Sequence, residues 1–138
     1  MSYVLQGSYQ YDQEPTIMRS DEDIDGFLAQ LMAAGPEFTA ATVYAVDETS
    51  DVEPDHQVVV GVDAGSSSGG LSYAGEDGEW FSKGTSADPD GVVFVYFGTG
   101  HDFPADARVP VEVVRQALSE LLEKQGRRPD SVTWQRWE

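Results

Sequence analysis

Between positions 24 and 32 the apolar side chains recur at helical spacing: Ile24, Phe27, Leu28, Leu31 and Met32 share one face of a 3.6-residue period. Ser20 with Asp23 three residues on makes a capping-box-like start, and Asp21, Glu22 and Asp23 suit the positive end of a helix dipole. Gly35-Pro36 ends the run, so the pattern predicts a helix over about 21–34 whose five apolar side chains are core. A second stripe, Val111, Val114, Leu118, Leu121 and Leu122, predicts a helix over about 110–125. Pro110 suits its first turn, Lys124 its last turn and Gly126 the position just beyond.

Between the helices the period drops to two. Thr42–Val46, Gln57–Val62, Leu71–Ala74, Glu79–Lys83 and Val92–Phe97 are short apolar or alternating runs separated by Gly, Ser, Asp and Pro, the pattern of an antiparallel meander. Glu76-Asp77-Gly78 reads as a tight hairpin turn, and Asp63–Gly70 as a wide, mobile one. Ser2–Tyr11 alternates more loosely and reads as a first strand; Pro129 precedes a last strand, Ser131–Trp137. The expected fold class is α+β: a single domain over residues 1–138, a mostly antiparallel sheet with two helices packed on one face and a C-terminal strand.

Charge narrows the partners. The chain carries 25 Asp or Glu and 8 Lys or Arg, a net charge of −17. The imbalance lies in residues 1–107, where twenty acids face only Arg19 and Lys83, while the last 31 residues carry six bases and five acids. Such a field repels nucleic acid and anionic lipid and attracts a basic partner. At 40% hydrophobic and 11% aromatic, the chain is too apolar for a disordered acidic tail. There is no cysteine, hence no disulfide framework or thiol chemistry, and no Asn for an N-glycosylation sequon. Met1–Gln13 lacks a basic cluster or an apolar stretch, and the longest apolar run is Val92–Phe97, so a cytoplasmic protein without a membrane span is expected.

Motifs for catalysis are weak. Asp21-Glu22-Asp23-Ile24-Asp25-Gly26 matches the first half of a calcium loop, but the twelfth position, which needs a bidentate Glu, is Met32. His56 and His101 lie near strand ends, and no GxSxG, HExxH or Walker loop accompanies them; neither receives a role. Trp80, Trp134 and Trp137 with Phe81, Phe94, Tyr96 and Phe97 lack the cationic groove that a base-stacking platform needs, and are read mostly as core. No catalytic residue, cofactor or metal is therefore assigned. A small carboxylate-based hydrolase or metal-binding enzyme, and an acidic adaptor or nucleic-acid mimic, stay open as alternatives.

Two segments go beyond pattern: Gly78–Ser86 reads GEWFSKGTS, and Gly126–Trp134 reads GRRPDSVTW directly after a hydrophobic helix. Together they resemble a family of immunity proteins from bacterial polymorphic toxin systems, whose members include inhibitors of deaminase-superfamily toxins acting on double-stranded DNA. The residues that carry the likeness are Trp80, Phe81, Ser82, Lys83 and Gly84, then Arg128, Pro129, Val132, Thr133 and Trp134. It spans residues 20–134, with no counterpart for the first strand or for Asp63–Gly70. The resemblance implies a non-enzymatic inhibitor of a cognate toxin: a monomer that enters a heterodimer and binds neither nucleic acid nor membrane. A toxin that acts on DNA presents a basic face, so the acid-rich connections are the expected contacts. These are Asp47, Glu48, Asp51, Glu53 and Asp55, then Glu76, Asp77 and Glu79, then Asp88 and Asp90.

Overall fold

The computed structural model describes residues 3–9, 14–35, 38–50, 53–76, 78–96 and 99–136. Asp51 and Asp77 among the expected contacts, Phe97 and Trp137 among the aromatics, and Pro36 lie outside the described residues. The strands are β1 (Tyr3–Ser8), β2 (Thr16–Met18), β3 (Ala40–Asp47), β4 (Gln57–Asp63), β5 (Ser68–Gly75), β6 (Gly78–Ser82), β7 (Val92–Tyr96), β8 (Thr99–Phe103), β9 (Val109–Pro110) and β10 (Trp134–Arg136). The helices are α1 (Asp21–Ala33) and α2 (Val111–Glu123).

One antiparallel sheet runs in the order β10-β6-β5-β4-β3-β1-β2, with β9 on the edge of β5 beyond the end of β6. The meander β3 to β6 is as the alternation predicts. Helix α1 starts where expected: Ser20 is extended and its Oγ accepts the Asp23 N–H at 3.3 Å, while Asp23 Oδ2 accepts the Arg19 N–H at 2.9 Å. Gly35 at φ +97° follows its end. Helix α2 begins one residue later than expected, with Pro110 at the cap. It ends through left-handed Gln125 and Gly126, where the Gly126 N–H reaches the Leu121 carbonyl at 2.9 Å. Both helices bury most of their stripes on one face of the sheet, Phe27, Leu31, Val114 and Leu118 against Val43, Val58, Val60 and Leu71, while Met32, Val111 and Leu122, expected in the stripes, are only partly buried. Each such fully buried side chain stabilises by about 1.5–3 kcal/mol.

The other face carries what the sequence pattern missed. Val92–Tyr96 is not a meander strand. It pairs with Thr99–Phe103 as a separate two-stranded sheet laid across β3 and β4, fixed by Thr39 N–H to the Val95 carbonyl and Val95 N–H to Thr39 Oγ1, both 2.8 Å. Phe94 and Phe103 meet edge-on at 5.0 Å, and Phe103 meets Phe81 at 5.1 Å, over Ala40 and Val59. This hairpin explains the glycines of the expected wide turn. The turn is confined to residues 64–67, and Gly69 and Gly70 are paired β5 residues. Gly61 and Gly70 are cross-strand partners under Phe94, where an added Cβ would lie 2.3 Å and 2.9 Å from its ring. The last strand is only Trp134–Arg136; Val132 precedes it as a buried anchor in the helix-side core.

Candidate functional site

Antiparallel pairing decides which acids meet. The end of β3, the start of β4 and the β5–β6 turn all lie at one end of the sheet, so Asp47, Glu48, Glu53, Asp55 and Glu76 share that end. Asp47 Oδ1 accepts the Thr49 N–H (2.9 Å) and hydroxyl (2.6 Å), which shapes the turn. Glu48 forms a bidentate pair with Arg19, Nη2 to Oε2 at 2.8 Å, which holds its carboxyl below the usual range and raises the guanidinium. Glu53 and Glu76 carry no ion pair among the described residues, and the Asp55 side chain is 80% exposed. Asp47, Glu53 and Asp55 line a cavity of about 330 Å³ with His56 and Gln125. Asp55 also borders a neighbouring cleft of about 260 Å³ with Glu76, Tyr73, Trp80, Arg127 and Arg128.

The other expected contacts lie elsewhere. Pleating turns Glu79 to the face opposite Trp80, into a cleft with His101 and Asp102 beside the β7–β8 hairpin. Asp88 sits at the far end of the sheet, where Arg108 bridges it (3.5 Å) to Asp63 (2.9 Å) and also donates to Ser68 Oγ at 3.0 Å. Asp90, exposed, donates its N–H to Asp88 Oδ1 at 3.0 Å. Asp88 and Asp90 are therefore not part of the acidic end.

The residues of the two shared segments build a frame. They are far apart in sequence, yet β6 and β10 pair directly, with Trp134 opposite Ser82 and Arg136 opposite Trp80. Trp80, among the aromatics read mostly as core, is not fully buried. It is partly buried, with the Arg128 guanidinium 4.0 Å and that of Arg136 5.6 Å from its ring centroid. Phe81 points to the opposite core. Lys83 exposes its side chain while its N–H reaches the Thr133 carbonyl at 2.8 Å. Gly84 is not at a turn: it is glycine because an added Cβ would lie 2.0 Å from the Arg108 carbonyl oxygen. Trp134 donates to the Pro129 carbonyl at 2.7 Å and packs edge-on against Tyr73. Lys124 pairs with Asp130, which raises the ammonium and lowers the carboxyl.

His56 has a structural role that its position in sequence did not reveal. Its ring is buried and stacked 6.0 Å from Tyr73, and Nε2 accepts the Ala45 N–H at 3.0 Å. Nδ1 therefore carries the proton and faces Asp55 Oδ1 at 3.3 Å. The Tyr73 hydroxyl in turn donates to the Gly126 carbonyl at 2.6 Å, locking the end of α2 to the acidic rim. Among the described residues, no three His, Cys, Asp or Glu converge to hold a metal ion, and no helix is long and apolar enough to cross a membrane.

The model of immunity protein Imm1 matches residues 12–136, taking in both shared segments, both helices and nine of the ten strands. The chain belongs to the Imm1 immunity protein family. Comparison with curated proteins gives no match. The Imm1 match begins after β1, in line with the absence of a counterpart for the first strand, but it runs through Asp63–Gly70, for which no counterpart was expected. Imm1 membership points to a protein that binds and inhibits a cognate toxin and that acts by binding rather than catalysis.

Proposed function

We propose that this Imm1 protein works in the cytoplasm, as a monomer that enters a one-to-one complex, and inhibits a deaminase-type toxin by covering its basic nucleic-acid face. The observation that carries this reading is the gathering of Asp47, Glu53, Asp55 and Glu76 at one end of the sheet, with Glu53 and Glu76 free of ion pairs among the described residues. A deaminase acting on DNA needs a cationic groove for phosphates and a pocket for the flipped base. An acidic rim on a rigid sheet end meets such a groove with opposite charge, and the −17 field speeds encounter to about 10⁸ M⁻¹s⁻¹ or more at low salt.

The test is co-purification with the protein encoded by the neighbouring gene, followed by rescue of cells that express it. Reversal of Asp47, Glu53, Asp55 and Glu76 to Lys is expected to weaken binding at least tenfold and to flatten its dependence on salt. An unchanged salt slope in that variant removes the rim from the interface.

A further inference from the structure

The cleft between the acidic rim and the segment that follows α2 has a composition at odds with a purely acidic surface. Four of the chain's basic side chains are already engaged: Arg19 with Glu48, Arg108 with Asp63 and Asp88, Arg115 with Asp25 and Lys124 with Asp130. Arg127 and Arg128 are in no ion pair among the described residues, and Arg128 meets only the longer-range field of Asp130, whose carboxyl it helps to lower. Among the described residues neither has a carboxylate within ion-pair distance, although Asp55 and Glu76 stand across the same 260 Å³ cleft. Arg128 is held over Trp80, its guanidinium carbon 4.0 Å from the ring centroid, and its guanidinium N–H groups meet no acceptor among the described residues. Arg127 is exposed beside it. The segment that bears both is tied down by the Tyr73 hydroxyl on the Gly126 carbonyl and by Trp134 on the Pro129 carbonyl.

Resting on the immunity reading above, we infer that this cleft receives a carboxylate side chain of the toxin, flanked on the toxin by cations that face Asp55 and Glu76. Two guanidiniums, one preoriented by an aromatic ring, match the planar bidentate geometry of a carboxylate. The facing acids make the site selective, because a carboxylate without neighbouring cations meets Asp55 and Glu76 as like charges. The rim alone attracts any basic surface. The cleft adds a contact of reversed sign that fixes register on one partner.

The sign of a single substitution decides the matter. Arg127→Glu makes the chain more acidic, so a partner face that is uniformly basic binds it more tightly. A partner that lodges a carboxylate in the cleft binds it more weakly. The measurement is the dissociation constant of the unaltered chain, Arg127→Glu and Arg127→Gln against the purified protein encoded by the adjacent gene, with melting temperatures as a folding check. The expected result is binding weakened about tenfold by Arg127→Glu and less by Arg127→Gln, with partial recovery when the facing acid of the toxin is changed to Lys. Tighter or unchanged binding by Arg127→Glu, while the unaltered chain binds, overturns the cleft and leaves the immunity reading standing. Absence of binding by the unaltered chain overturns both.

Discussion

Ser82 is the place where one hydroxyl does the work of a strand pair. The outer edge of β5 pairs with β6 as far as Ser72 opposite Phe81, and with β9 at Gly69 opposite Val109. Between these two partners the Leu71 N–H donates to Ser82 Oγ at 3.0 Å, and the Ser82 hydroxyl donates to the Ala107 carbonyl at 2.7 Å. The side chain is fully buried at 0% exposure, so water does not replace it. Ser82→Ala leaves one buried donor and one buried acceptor unmet, each costing about 1–3 kcal/mol, and the expected loss is about 3 kcal/mol. A chain of 138 residues has a melting entropy of about 290 cal/mol/K, so the melting temperature falls by about 10 °C. Lys83→Ala, at the exposed neighbour, stays within about 2 °C. Thermal melts by circular dichroism, backed by urea titration, give both numbers. A fall of less than about 3 °C for Ser82→Ala refutes the stitch. At temperatures well below the transition, the variant is expected to hold its toxin as tightly as the unaltered chain, which separates a framework motif from a contact motif.

Gly61→Ala drives a Cβ into the Phe94 ring at 2.3 Å, and overpacking of this kind costs about 1–3 kcal/mol. Phe94→Ala, which empties a fully buried site, costs about 3–5 kcal/mol alone but less in the Gly61→Ala background. Additive losses in the urea-measured cycle exclude the contact. The Arg19 pair lowers the Glu48 carboxyl from its ordinary 4.5, so its stabilisation is full above about pH 4.5 and is lost as the pH falls through the lowered value. The difference in melting temperature between the unaltered chain and Glu48→Gln is therefore level from pH 7 to about 5, closes in more acid solution, and shrinks in 1 M NaCl. A gap that widens in acid contradicts the pairing.

The helices were legible because a 3.6-residue stripe with caps at both ends leaves little choice, and Ser20 and Gly126 stand where the pattern puts them. Strands β3, β4 and β6 were legible from alternation and β-branched residues. Strand β8 was not: Thr-Gly-His-Asp-Phe buries only its final residue, so its alternation is invisible, and it holds its place by pairing with β7. Strands β2 and β9, three and two residues long, fall below any pattern window. Gly69-Gly70 read as loop because glycine writes no hydrophobic pattern, although it is the approach of Phe94 and of the β4 backbone that requires glycine there. At the site, one residue of pleat separates Glu79 from the acidic end, and the Arg108 bridge that engages Asp88 spans twenty positions with no local signal.

The two segments that carried the resemblance in sequence are mostly framework in the structure. Trp80 to Gly84 and Arg128 to Trp134 spend most of their groups on one another: Trp134 opposite Ser82, Arg128 on Trp80, Thr133 on Lys83. Their joint product is the β6–β10 pair that forms one edge of the sheet. The end of α2, tied down by the Tyr73 hydroxyl on the Gly126 carbonyl, brings Arg127 and Arg128 of the basic C-terminal part across a cleft from Asp55 and Glu76. The charge asymmetry along the chain thus becomes a charge boundary in space. A boundary, unlike a uniform field, can tell one basic partner from another.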